Sequence, residues 1–182
     1  ICPLQKRPLI QVPFANLPDK TNSMKRRCMS LFFLLSIVVT VSAQLRSPEE
    51  VLGYRIGARF TPHWKIVNYF NHVASQASAN VKLEQYGETN EGRPLYLAIV
   101  SSAENVRSLE AIRMNNLRLA NLAKDKMAPD EEKAPAIVWL SYNVHGNEPS
   151  SSEAAMLTLY ALAGQQDPKG KEWLKNTVVI ID

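Results

Sequence analysis

The apolar positions of this chain follow two periods, and the alternation between them predicts the order of its elements. Thr61-Pro62 offers an N-cap with proline at the first helical position, and Trp64, Val67, Phe70 and Ala74 then recur at helical spacing. Val81-Lys82-Leu83-Glu84 alternates as a half-exposed strand and closes at Gly87. Asn90-Glu91-Gly92 makes a turn into a second strand from Leu95 to Val100. Between Glu104 and Met127, Val106, Leu109 and Ile112 form a stripe that Leu117 and Ala120 continue, which predicts a helix with a solvated charged face. Pro129 to Lys133 reads as an acidic loop. Ala136 to Leu140 is unbroken and apolar, the pattern of a central strand covered on both faces, and places Trp139 in the strand core. Ser150-Ser151-Ser152-Glu153 has the form of a capping box before Ala154, Ala155, Met156, Leu157 and Leu159, opening a helix that ends near Gly164. Asp167-Pro168 turns the chain, and Thr177 to Ile181 reads as another buried strand. Residues 44–60, with Ser47-Pro48, Gly53 and Gly57, read as an irregular lead-in. Strands alternating with helices predict a mixed α/β domain with a largely internal sheet flanked by helices.

Length and charge change this picture mainly at the front. The 182 residues suffice for one domain. Lys25-Arg26-Arg27 behind Met24, an apolar run from Ser30 to Val41, and the small residues Val41-Ser42-Ala43 predict a signal peptide over 24–43, cleaved before Gln44. The run is shorter than the roughly 20 residues a membrane span needs. An exported protein, periplasmic or extracellular, with no membrane anchor after processing, is the expectation. Residues 1–23 precede this start and read as an upstream tail outside the natural protein. Both cysteines, Cys2 and Cys28, lie ahead of the cleavage point, which excludes disulfides and thiolate metal sites from the exported part. The +4 formal charge is also concentrated there: residues 44–182 carry 15 Lys/Arg and 16 Asp/Glu, a net of −1. That balance gives nucleic-acid binding no support. The chain opens on Ile1 and stops at Asp182, directly after an apolar run, and so reads as an amino-terminal fragment. Residues 44–80 then form a lead-in with a helix, and 81–182 the first part of a catalytic domain.

The segment with chemistry in it is Ser141-Tyr142-Asn143-Val144-His145-Gly146-Asn147-Glu148-Pro149. It falls between a buried strand and a helix start, where α/β proteins place ligands. Gly146 lets the backbone turn sharply between His145 and Glu148, and Pro149 disfavours the α conformation at Glu148, keeping the pair on a loop. The helix amino end favours a carboxylate there in its ionised form. An imidazole and a carboxylate from one tight loop supply two-thirds of a His₂Glu zinc site, in which bound water attacks a polarised carbonyl. A bare His-x-x-Glu recurs by chance in many chains, so the surroundings have to carry the assignment.

Those surroundings resemble the opening of the zinc metallocarboxypeptidase catalytic domain. Glu91-Gly92-Arg93-Pro94-Leu95-Tyr96 is similar to that family's turn into its second strand. The spacing to Ala136–Leu140, to His145-Gly146-Asn147-Glu148 and to the strand at 178–181 matches as well, and residues 48–75 look like the lead-in of bacterial members. The resemblance implies a carboxypeptidase-like fold, of which only the first part is present, and Zn²⁺ as cofactor. It implies His145 and Glu148 as the first two metal ligands and a peptide or protein substrate cut at its carboxyl end. It also implies that the second His ligand, the general-base Glu and the substrate-gripping Arg lie beyond Asp182, so no catalytic or substrate-binding residue is assigned within the chain. Many carboxypeptidases have Arg directly before the motif Glu, where this chain has Asn147. Gly146-Asn147 also occurs in related zinc deacylases of N-acyl amino acids, and a degenerate, peptide-binding domain is a third reading. His63 and His72, on the first predicted helix, read as surface or packing residues. Glu153 reads as a cap, Arg93 as a support for the turn, and Ser150 to Ser152 lack a base that would make them nucleophiles.

Overall fold

A computed structural model describes residues 44–182, apart from Lys133 and Gln166. The predicted signal segment and upstream tail lie outside the described residues. Six helices and four strands follow one another as α1 (Pro48–Leu52), α2 (His63–Gln76), β1 (Val81–Glu88), β2 (Pro94–Val100), α3 (Ala103–Arg107), α4 (Leu109–Leu119), β3 (Ala136–Leu140), α5 (Ser150–Gly164), α6 (Pro168–Trp173) and β4 (Thr177–Ile181). The mixed α/β class is as the periods predict. The sheet runs β1-β2-β4-β3, with β1/β2 and β2/β4 antiparallel and β3/β4 parallel.

Register shows which face is the core. Val81 pairs with Val100 and Val100 with Val179, while Leu83 pairs with Ala98 and Ala98 with Ile181. Paired residues share a face, so these two rows stand together. They meet Leu52 of α1, Tyr69, Phe70 and Val73 of α2, and Ala155, Met156, Leu159 and Ala163 of α5 in one buried cluster. The opposite face carries the row Ile99, Ile180, Trp139.

That second row corrects the reading of residues 136–140. Among the described residues the strand lies at the edge of the sheet, and Trp139 is 55% exposed, with Ile137 and Val138 also exposed. A continuous apolar run predicts cover on both faces, but among the described residues Trp139 keeps more than half of its surface open. The α3–α4 stripe differs in the same way. The helix expected from Glu104 to Met127 breaks at Ser108 and stops at Leu119, and none of its residues is buried. Ser102 caps α3 through a bond from the Asn105 N–H at 3.2 Å.

The lead-in is more ordered than its glycines suggest. Ser47 and Glu50 form a full capping box on α1, with the Ser47 N–H donating to Glu50 Oε2 at 2.6 Å, and Gly53 closes the helix at φ +75°. The Ser47 backbone N–H, and then its hydroxyl, hold the Glu50 carboxyl below the usual carboxylate range. Because the folded value is depressed, this stabilisation is complete above the ordinary Glu range and disappears as pH falls through the folded value. Ser47→Ala is expected to cost about 1 kcal/mol, measured by denaturant unfolding. Amide exchange over residues 48–52 should rise on acidification in the wild type.

The β1–β2 hairpin closes with the Thr89 N–H donating to the Arg93 carbonyl at 2.8 Å and Gly92 at φ +71°. Arg93 pairs with Glu91 across this turn at 2.5 Å. An irregularity between Gln85 and Gly87 leaves Tyr86 out of the register, and its hydroxyl donates to Asp182 Oδ1 at 2.8 Å. The strand therefore runs past the alternating residues 81–84, up to Glu88. No helix among the described residues is long and apolar enough to cross a membrane.

Candidate functional site

The loop 141–149 leaves β3 at the carboxyl end of the parallel pair β3/β4. The ladder continues one step into it: Asp182 N–H donates to the Leu140 carbonyl at 3.0 Å, and Tyr142 N–H to the Asp182 carbonyl at 2.9 Å. From the other side, the Tyr142 hydroxyl shares a 2.8 Å hydrogen bond with Thr158 Oγ1, tying the loop to α5. The chain then reverses. Asn143 takes φ +54°, and the Glu148 N–H donates to the His145 carbonyl at 3.0 Å, closing a tight turn over Gly146 and Asn147. His145 and Glu148 thus stand at the two ends of one turn, both exposed, at the amino end of a 15-residue helix.

Asn143 is the strained position. Asn visits the left-handed region more readily than other non-glycine residues, and its Oδ1 is buried without a hydrogen-bond partner. Asn143→Gly is expected to keep stability within about 0.5 kcal/mol of wild type, whereas Asn143→Val should cost about 1–3 kcal/mol. The shift in denaturant midpoint checks both.

Two cavities border the loop. One, of about 400 Å³, lies between α2, the start of β2 and residues 141–144. The other, of about 870 Å³, runs from Phe60 and Trp64 to Gly146 and Pro149. His63 lines both, its Nε2 3.1 Å from the Pro94 carbonyl, so that nitrogen is the donor there. Sequence reading places His63 on a helix without connecting it to the loop, because the two stretches lie some 80 residues apart. His72 is a packing residue. Its Nε2 is buried without a partner, its ring stands 6.2 Å from that of Tyr69, and burial pushes its pKa below the ordinary value, with Arg46 adding to the effect.

Glu153 is not a cap. The N-cap position of α5 is Pro149, with no side-chain hydrogen bond, and the carboxylate of Glu153 turns inward. It accepts from Thr61 Oγ1 at 2.5 Å and from the Gly57 N–H at 2.9 Å, and Thr61 in turn bonds the Tyr54 hydroxyl at 2.9 Å. Thr61 is correspondingly not the cap of α2, whose N-cap is Pro62 with no side-chain bond. The capping patterns at 61 and at 150–153 are present, but a buried pairing between the two segments uses the side chains instead.

Among the described residues, no group of three or more His, Cys, Asp or Glu is placed to hold a metal. The donors at the loop suit zinc in kind, an imidazole and a carboxylate, and are one short of the three protein ligands of a catalytic site.

No curated protein matches this chain in sequence. Among solved structures it is similar to thrombin activatable fibrinolysis inhibitor (TAFI) and to carboxypeptidase A from Helicoverpa armigera, each at 14% identity, with TM-scores of 0.47 and 0.48. These alignments cover 79% and 87% of this chain but 30% and 36% of the other proteins, so it spans about a third of their length. The description of the zinc carboxypeptidase family matches residues 66–181, from α2 through the His145–Glu148 loop to the end of β4. The chain belongs to the zinc carboxypeptidase family.

Proposed function

We propose that this chain contributes to a zinc-dependent metallocarboxypeptidase that hydrolyses carboxyl-terminal peptide bonds of exported peptides or proteins. One observation carries the reading: His145 and Glu148 end a single hydrogen-bonded turn at the carboxyl end of two parallel strands, inside the span that matches the family. In this reading His145 holds zinc through a neutral imidazole nitrogen and Glu148 through a carboxylate oxygen. When bound, zinc polarises a carbonyl and acidifies water, which is the chemistry amide hydrolysis needs. The residues of this chain hold the metal and fix the loop. The Tyr142–Thr158 tether and the ladder bonds to Asp182 set where the turn stands. The third ligand, the general-base Glu and the carboxylate-gripping Arg come from outside the described residues. Signal removal after Ala43 and export belong to the same proposal, with intact-mass analysis of the exported product as their check.

Asn147, directly before Glu148, favours a second reading, a zinc-dependent deacylase of N-acyl amino acids. Hydrolysis panels on the intact zinc-loaded protein decide between them. Release of free carboxyl-terminal residues from unblocked peptides supports the peptidase. Cleavage confined to acyl-amino acids replaces it with the deacylase. Zinc binding with neither activity leaves a degenerate, peptide-binding domain.

A further inference from the structure

Resting on the zinc reading above, we propose that Tyr142 is a positioning residue for the metal site, and that its hydroxyl bond to Thr158 sets how His145 and Glu148 are presented. The two ligand positions are the ends of one turn. The Glu148 N–H donates to the His145 carbonyl at 3.0 Å, and the Ser151 N–H to the Glu148 carbonyl at 3.2 Å. These bonds fix the shape of the turn and its join to α5. Its entry from β3 depends on Tyr142 and Asn143. Tyr142 is held to the sheet there through its N–H on the Asp182 carbonyl at 2.9 Å. Asn143 then takes φ +54°, so the chain reverses directly after the anchor and just ahead of His145. A rotation at Tyr142 is carried through that reversal into both ligand positions.

The side chain of Tyr142 opposes that rotation. Its half-buried ring packs against the core cluster, and its hydroxyl shares a 2.8 Å bond with Thr158 Oγ1. Thr158 stands two turns into α5, roughly 12 Å along the helix from Ser150. It lies one turn beyond Ala155, which is buried, and so on the same side of the helix. The bond therefore joins the residue before the turn to the helix after it, and the ligand loop is closed between two fixed ends. A phenylalanine ring fills the same space, so the hydroxyl adds orientation rather than packing. Groups that orient a metal ligand from behind change affinity by roughly 10–100-fold when removed. The reason is that donors left loose have to be ordered as the metal binds.

The test is zinc affinity of the intact protein, measured by competition with a chelator at a temperature where every variant is folded, for Tyr142→Phe, Thr158→Val and the two together. Each single variant should bind zinc at least about tenfold more weakly. The double variant should bind no more weakly than either, because both singles remove the same bond. Thr158→Ser, which keeps a hydroxyl, should retain wild-type affinity. In the metal-free protein, amide exchange at Glu148 should quicken in both single variants while β4 stays protected. Lower denaturant midpoints with zinc affinity and Glu148 exchange unchanged would show a role in stability alone and overturn the proposal. Losses that add in the double variant overturn the shared bond as their cause. Thr158→Val decides the matter where Tyr142→Phe is too unstable to measure. His145→Ala separates this result from the metal assignment. Zinc lost there, with affinity unchanged in Tyr142→Phe, removes the positioning role and leaves the assignment standing, whereas zinc retained in His145→Ala overturns both.

Discussion

His145→Ala or Glu148→Ala, made in the intact protein, should each lower zinc affinity by more than about 100-fold, beyond the roughly 10–100-fold typical of groups that only orient a ligand. Hydrolysis should fall with it. Both side chains are exposed and make no side-chain hydrogen bond among the described residues, so the metal-free variants should unfold within about 0.5 kcal/mol of the metal-free wild type. The zinc-loaded wild type should gain stability with metal concentration, since only the folded loop presents both donors, and the variants should not. That combination separates a ligand from a residue that merely holds the loop: a structural role lowers stability with or without metal. Metal analysis, hydrolysis and denaturant unfolding on the same preparations provide the readouts. Full zinc content in His145→Ala would show that the site is misplaced.

Local chemistry made part of this fold legible. The β1–β2 hairpin, the turn at Asn90 to Gly92, and the α5 end beside Gly164 follow from alternation, a glycine and a helical period, all of which act over a few residues. The position of the 141–149 loop was equally readable, because an apolar strand ahead and a helix behind bracket it. Reading failed where one residue type had two possible uses. Thr61 and Glu153 each have the local pattern of a cap, and their pairing across 92 residues overrides both patterns. Ser47-Pro48 looked like a turn because short helices have little periodicity, yet its capping box with Glu50 was in the sequence. Ile137, Val138 and Trp139 show the opposite failure. Apolarity records that a surface is suited to burial, and the covering element need not lie among the described residues. His63 meets the loop only through the fold, and no short-range signal marks it.

Glu153→Ala should destabilise the protein by about 2–4 kcal/mol while leaving zinc content unchanged. The residue is 7% exposed, and its carboxylate is the acceptor for two donors, the Thr61 hydroxyl and the Gly57 N–H. Hydrogen bonds to a charged group contribute about 1.5–3 kcal/mol each, and the abandoned donors add a desolvation cost. Removing a buried charge offsets part of that loss, which keeps the net below the sum. Had Glu153 served only as a helix cap, the cost would be about 0.5–2 kcal/mol. Glu153→Gln should cost less than Ala, since the amide oxygen still accepts from Gly57 and the Thr61 hydroxyl can accept from the amide nitrogen. Amide exchange should locate the damage. Protection should fall over residues 54–62 in Glu153→Ala and persist in β4, whose buried Val178, Val179 and Ile181 lie in the strand pairings rather than in this cluster. A cost below about 1 kcal/mol, with protection at 54–62 unchanged, would mean that the 54–62 segment is held by something other than this carboxylate.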